Sequence, residues 1–462
     1  MRPTRWRRST HVAVGVAVLL VVAAVVAVAA VFTAGGRSTS EAKAVKAQPA
    51  LAVAHPGVTP LADSAPKPAP DRLNATLAPL VADPNLGALT GRVTDAMTGA
   101  QLWAQGAAIP MQPASVNKVL TTAAALVTLD RDARLTTTVL TDPDTPGLLI
   151  LKGGGDPTLS AAGPATPTWY RDAARISDLT NQVRRESVAV TAVQVDASAF
   201  SGPTMAPGWD PLDLQNGDIA PMESVMLDGG RTQPVSVDSW RSATPALDAG
   251  RALAVAFGVD PASVAFLRSP VAGAKEIASV QSPPLMERLR EMMNNSDNVM
   301  AESIGREVAA AVNRPQSFSG AVQAVLGQLG DAGIDTAGAA LVDSSGLSVD
   351  DRLTAETLDE VVNAAAGTEQ PKLRPLLDLL PIAGGSGTLS NRYLDTDPGR
   401  AAAGFLRAKT GSLTGTNTLA GIVTDASGRV LTFALMSNNA GPTGRTAIDA
   451  LAATLRSCGC GS

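Results

Sequence analysis

The sequence predicts an α+β protein: one antiparallel five-stranded sheet, covering helices supplied from between its strands, and an inserted, mainly β module. Three observations lead there. Short apolar runs bounded by turn residues lie near both ends of the folded part, two within 88–104 and three within 404–436. Amphipathic helical patterns fill much of the interval, above all around 285–312. The stretch 150–277 has few long helical patterns and many short Val-containing runs, such as 188–195.

In chain order, Arg2, Arg5, Arg7 and Arg8 precede an uncharged run over residues 12–32, long enough to cross a bilayer as a helix. Arginines before such a run stay inside, so the remainder is exported. Residues 1–36 are therefore an N-terminal membrane anchor or a signal peptide. The run exceeds a usual signal-peptide core, while Ala34, Gly35 and Gly36 offer small residues for processing. The expected location is the outer face of the cytoplasmic membrane, or outside the cell after cleavage. Residues 37–82, rich in Pro and Ala, are expected to form a linker.

A hairpin follows, with strands at Leu89–Asp95 and Gln101–Ala104 and a turn at Thr98-Gly99. Next comes Pro113-Ala114-Ser115-Val116-Asn117-Lys118, opening an apolar run to Leu126. The module occupies 150–277, and the catalytic part is expected from 83–149 and 278–462. Strands at Gly404–Lys409, Thr418–Val423 and Val430–Met436 and a helix from Arg445 to Arg456 complete the sheet and its cover. Gly153-Gly154-Gly155 and Gly384-Gly385-Ser386-Gly387 lack the Lys-Ser or Lys-Thr of a phosphate loop and read as turns.

Composition removes several kinds of chemistry. The only histidines, His11 and His55, lie before the folded part, which excludes a Ser-His-Asp triad and histidine-ligated zinc. Two cysteines, Cys458 and Cys460, cannot make a cysteine-rich metal site; they can pair with each other or stay free. No metal or other cofactor is expected. The net charge of −5 and the lack of a basic cluster beyond the N-terminus argue against nucleic acid as a partner. A hydrolase built from this chain must take lysine or a carboxylate as its base.

Ser115 and Lys118 fit that demand. Three residues apart on a helix start they share a face, so the amine can reach the hydroxyl. Lysine takes a serine proton only if burial and neighbours lower its pKa, and a helix N-terminus favours an oxyanion beside the serine. Ser-x-x-Lys also occurs at Ser40 and Ser64, both in the Pro/Ala-rich stretch. What singles out Ser115 is the company it keeps. Ser296-Asp297-Asn298 falls between two helical stretches, and Lys409-Thr410-Gly411, found once, ends a strand. In this order the three motifs are those of penicillin-binding proteins and class A β-lactamases.

The chain resembles the D-alanyl-D-alanine carboxypeptidase/endopeptidase family of penicillin-binding proteins, low-molecular-mass class C, serine peptidase family S13. The resemblance covers nearly all of residues 83–457 and includes Gly154–Leu159, Ser282–Leu285, Asp343–Ser348 and Gly387–Leu389. Such members carry a large insertion between the first two motifs, and Ser115 and Ser296 are 181 positions apart. Ser386 stands where the family pattern has an aspartate before Gly-Thr-Leu.

The resemblance implies a penicillin-binding/β-lactamase-like transpeptidase fold with helices on both sides of the sheet. It implies a serine D-Ala-D-Ala carboxypeptidase, with endopeptidase activity also open, acting on peptidoglycan stem peptides through an acyl-enzyme and inhibited covalently by β-lactams. Ser115 would attack, Lys118 accept its proton and Ser296 relay a proton to the departing amine. Asn298, Lys409, Thr410, Gly411 and Ser412 would bind substrate, with the N–H groups of Ser115 and Ser412 forming the oxyanion hole and Lys409 facing the terminal carboxylate. Asp297 is read as structural. Two alternatives stand beside this. A β-lactamase would need a Glu-x-x-x-Asn between Ser296 and Lys409, and there is none. A catalytically idle envelope protein would have no need to keep all three motifs.

Overall fold

The computed structural model describes residues 64–237 and 239–458. The expected membrane segment at 12–32, the first part of the linker and Cys460 lie outside them. Among the described residues no helix is long and apolar enough to cross a membrane.

The linker expectation is corrected at its end. Residues Pro70–Val81 form a helix, α1, begun by a proline that pre-sets φ. Leu73 and Leu77, one turn apart, are fully buried, each worth ~1.5–3 kcal/mol of apolar burial. They belong to the same core as the C-terminal helix. Proline and alanine counts dominate this stretch, but the spacing of two leucines decides its structure.

The first sheet is built as expected from the two ends of the chain. Strands β1 (Ala88–Asp95), β2 (Gln101–Gln105), β8 (Leu406–Leu413), β9 (Thr416–Thr424) and β10 (Val430–Asn438) lie in the order β2-β1-β10-β9-β8, all antiparallel. Alternation along β10 shows how the sheet is covered twice. Leu431, Phe433 and Leu435 pack on one side with α1 and the C-terminal helix, whereas Ala434 and Met436 pack on the other. A buried Arg429, just before β10, ties the start of that strand to the end of its neighbour β1, donating through two nitrogens to the Asp95 carboxylate at 2.6 Å each.

The second side is covered by α2 (Lys118–Thr128), whose residues from Lys118 to Leu126 are all buried. The second sheet follows: β3 (Thr136–Thr141), β4 (Leu148–Lys152), β5 (Ala192–Asp196), β6 (Ala265–Phe266) and β7 (Lys275–Gln281), in the order β6-β5-β4-β3-β7. It takes in strands on both sides of the expected 150–277 segment, because β3 and β7 pair with each other across it. Helices α3 (Ile176–Arg185) and α4 (Pro245–Ala256) pack into its core. The chain then returns through α5 (Leu285–Asn295), α6 (Asn298–Ala311), α7 (Phe318–Asp331) and α8 (Ala355–Ala366), which share one hydrophobic core with α2. The last helix, α9 (Gly444–Ser457), closes the other face. Cys458, buried at its end, is disulfide-bonded.

Candidate active site

Ser115 sits on a short 3-10 turn, Ala114–Asn117, that feeds directly into α2. Ala114 holds a left-handed φ of +48° just before it. That strain, ~1–2 kcal/mol for an L-residue, is held from three directions. Thr418 Oγ1 donates to the Pro113 carbonyl at 2.7 Å, and Asn117 Nδ2 donates to the Asp343 carbonyl at 3.2 Å. Gly346 lies so close that a Cβ there would stand 1.9 Å from the Ala114 oxygen. Gly411 fits equally tightly, a Cβ meeting Thr418 Oγ1 at 2.1 Å and the Pro113 oxygen at 2.8 Å. The glycine of Lys-Thr-Gly is therefore a packing requirement: it lets β8 run against the serine turn.

Lys118 is wholly buried and has three partners. Its Nζ lies 3.0 Å from Ser115 Oγ, 2.6 Å from Asn298 Oδ1 and 2.8 Å from the Ser345 carbonyl. An amide oxygen and a carbonyl can only accept, whereas a hydroxyl can also donate. A neutral amine has two N–H bonds and one lone pair. Giving both hydrogens to Asn298 and Ser345 leaves the lone pair for Ser115. Burial pushes the amine down to about 8, against the pull of Asp343, Asp297, Glu302 and Asp351.

The Ser296-Asp297-Asn298 motif lies between α5 and α6. Ser296 caps α5 at φ +57° in the left-handed region, and Asp297 caps α6, accepting from Met300 N at 2.9 Å. Asp297 also accepts from the Tyr170 hydroxyl at 2.7 Å, a structural part in keeping with its reading from sequence. Asn298 donates through Nδ2 to the Asp218 carbonyl at 3.0 Å, so it joins Lys118 to the inserted module. On β8, Lys409 is fully buried and donates to Ser296 Oγ and to the Thr410 carbonyl, both at 2.8 Å. Burial, with Lys118 and Arg392, holds its amine well below the ordinary lysine range. Thr410 shares a 2.8 Å hydroxyl contact with Thr388, which brings the Gly387-Thr388-Leu389 segment into the site. Ser386, in the family's aspartate position, accepts from Ile382 N through its side chain at 3.0 Å.

Ser115, Ser296, Asn298, Thr410 and Ser412 all line one cleft of about 830 Å³. Its walls are polar: Asp213, Asn216 and Asp218 come from the inserted module, and Arg445 from α9 opposite. Lys118 and Lys409 lie behind its surface and reach it through the two serines. The three motifs, remote in sequence, thus meet in one place.

The profile of the D-Ala-D-Ala carboxypeptidase 3 (S13) family matches residues 73–241 and 234–457. The chain belongs to the D-Ala-D-Ala carboxypeptidase S13 family. It is 72% identical to carboxypeptidase DacB of Mycolicibacterium smegmatis over the full length of both chains. It is 62% identical, again over both full lengths, to a carboxypeptidase of Mycobacterium tuberculosis. Residues 1–60 match a further profile, the N-terminal domain of carboxypeptidases of that second kind. The fold is that of penicillin binding protein 4 (dacB) from Haemophilus influenzae, with a TM-score of 0.67 over 84% of this chain and 98% of that one at 23% identity. The S13 chain is a serine-type D-Ala-D-Ala carboxypeptidase, a hydrolase of the cell envelope.

Sequence reasoning did not find the second layer of this S13 site. Glu302 and Arg306 are fully buried one and two turns beyond Asn298, pairing at 3.2 Å, and Arg306 lies over the rings of Phe200 and Phe318. Glu302 accepts from Ser344 N at 2.8 Å. Burial, with Asp343 beside it, raises its carboxyl to about 7. A signal for this layer existed: positions 298, 302 and 306 share one helix face, and two charges there interrupt an apolar stripe. For Tyr170 and Trp209, contributed by the inserted module, no motif gave warning.

Proposed function

We propose that Ser115 Oγ attacks the carbonyl between the two terminal D-alanines of a peptidoglycan stem peptide while Lys118 Nζ takes the hydroxyl proton. The observation that carries this reading is the Lys118 amine, 3.0 Å from Ser115 with its other two contacts on oxygens that can only accept. The backbone N–H groups of Ser115 and Ser412 are assigned to the developing oxyanion, which a fixed pair of donors stabilises without reorganisation. As the tetrahedral intermediate collapses, the C–N bond breaks and the D-alanine nitrogen must gain a proton. Ser296, bonded to Lys409, is assigned to deliver it, and the lysine replenishes the hydroxyl. Water then attacks the ester, its proton passing through Ser296 to restore Lys409, and as the ester C–O bond breaks Lys118 returns its proton to Ser115 Oγ.

Lys409, Thr410 and Ser412 are assigned to the terminal carboxylate, Asn298 to the substrate backbone, and Gly411 to the close approach of β8. β-Lactams would form the same ester and release slowly. The same acyl-enzyme would also open cross-links. We assign residues 1–36 to an anchor or signal peptide, with the two catalytic segments flanking a module whose sheet spans 136–281.

The experiment is mass spectrometry of the full chain after incubation with benzylpenicillin, followed by peptide mapping. One adduct on the peptide holding Ser115, absent in Ser115→Ala, is expected. A folded protein that takes no adduct, or takes it elsewhere, overturns the assignment.

A further inference from the structure

The third contact of Lys118, the Ser345 carbonyl, belongs to a loop organised by one carboxylate. Asp343 is fully buried and accepts four N–H groups. One oxygen takes Ser345 N at 3.0 Å and Gly346 N at 2.6 Å; the other takes Ser348 N at 2.8 Å and the indole Nε1–H of Trp209 at 2.8 Å. Three of these donors are the loop's own. The fourth comes from the inserted module.

Trp209 is only 8% exposed, and its ring packs edge-on against Phe318 with centroids 5.1 Å apart and planes at 87°. Pinned in this way, the indole has its N–H aimed at the carboxylate. The neighbouring backbone is also fixed, since Ser348 Oγ donates to the Pro207 carbonyl at 2.8 Å. A Cβ at Gly208 would meet that same Oγ at 2.4 Å.

We propose that Trp209 is a positioning residue for Lys118, acting through Asp343: its indole N–H holds the carboxylate that sets the Ser345 carbonyl and tempers the negative charge facing the amine. This rests on the assignment of Lys118 as the base. The titratable groups around Lys118 are Asp343 and Asp351 from this loop, Asp297 at the cap of α6 and Glu302 within it, Asp218 from the inserted module and Lys409 from β8. Among those that favour the ammonium, Asp343 pulls hardest. Removing one of its four donors, in a place water does not reach, leaves its charge less dispersed. The ammonium form of Lys118 gains, and the amine becomes free only at higher pH. The module thereby acts on the chemistry, beyond forming one wall of the cleft.

The test follows acylation of the full chain by benzylpenicillin in stopped flow from pH 6 to 10. Two variants are compared with wild type: Trp209→Phe, and Trp209 replaced by benzothienylalanine, which keeps the ring shape and puts sulfur in place of N–H. In both, the midpoint of the rising limb should move up by about half a unit or more, cutting the rate at pH 7 roughly threefold to tenfold, with the high-pH plateau within about twofold of wild type. An unmoved midpoint, with or without a lower melting temperature, overturns the proposal. Should wild type form no Ser115 adduct, or should Lys118→Ala acylate as fast as wild type, the base assignment itself falls instead.

Discussion

Lys409 Nζ donates to Ser296 Oγ across 2.8 Å, so the strand motif and the interhelical motif form one unit before any substrate arrives. Ser296 lines the cleft, while Lys409 stands wholly buried behind it. A buried amine with Lys118 and Arg392 nearby gives up its proton readily, and a substrate carboxylate would restore it.

That arrangement separates the two residues kinetically. Ser296→Ala should lower the acylation rate ~10²- to 10⁴-fold with a small effect on KM, the scale of a lost proton-transfer step. Lys409→Ala should in addition raise KM for peptides ending in a free carboxylate. Because binding a carboxylate raises the proton affinity of Lys409, substrate affinity should weaken as pH rises. Steady-state kinetics on a D-Ala-D-Ala peptide and its C-terminal amide check this; an equal KM effect on both substrates would contradict it.

As the proposed base, Lys118 should set the pH dependence of acylation. Its amine is held at about 8 by burial, and only the neutral form accepts a proton. The rate should therefore rise with pH, pass half-maximum near 8 and level off above. Lys118→Ala should remove this limb and lose at least ~10²-fold at the plateau. A wild-type profile that is flat from pH 6 to 9 would rule out the amine as base.

Asp351 links pH to stability. Burial, with Asp343 beside it, raises its carboxyl to about 10, far above the value of an unfolded chain. A group raised on folding stabilises fully at low pH, and that contribution is lost as pH climbs through the range up to the folded value. Glu302, at about 7, adds loss in the same direction. Thermal melts should show stability falling between pH 5 and 9. Asp351→Asn, which mimics the protonated acid and keeps the oxygen that accepts from Val342 N at 2.7 Å, should fall less over that window. Parallel curves for the two proteins would refute the linkage.

Two glycines should behave oppositely. Gly346 has φ +77° and no room for a Cβ, so Gly346→Ala should lower the melting temperature and cut acylation more than about tenfold through the Ser115 turn. Gly327, inside α7, faces open space, and Gly327→Ala should stabilise by ~0.5–1 kcal/mol with acylation unchanged. Denaturant melts alongside penicillin acylation measure both.

Much of this was legible in the sequence. The strands of the first sheet showed as short apolar runs between turns and the helix after them as an apolar pattern of helical spacing, and the observed bounds differ by a few residues. The motif residues could be placed on a helix start, in an interhelical loop and on a strand because each element type has its own local signature. The helix at Pro70–Val81 was hidden by composition, since two leucines carry its burial. The second layer was hidden for another reason. Trp209 reaches Asp343 and Tyr170 reaches Asp297 across more than a hundred residues of chain, and no local pattern encodes a contact of that span.

The pairing of β1 with β10 has a consequence for timing. Ala88 lies opposite Asn438, 350 residues later, and the register runs unbroken to Asp95 opposite Leu431. Closing so long a loop is a late and slow event, because its entropy is lost before any contact rewards it. The ribosome makes Ser115 well before the strand that carries Lys409 and the two behind it. A nascent or truncated chain that lacks those strands therefore holds a serine with no site around it, and the capacity to cut wall peptides arises only once they have been made.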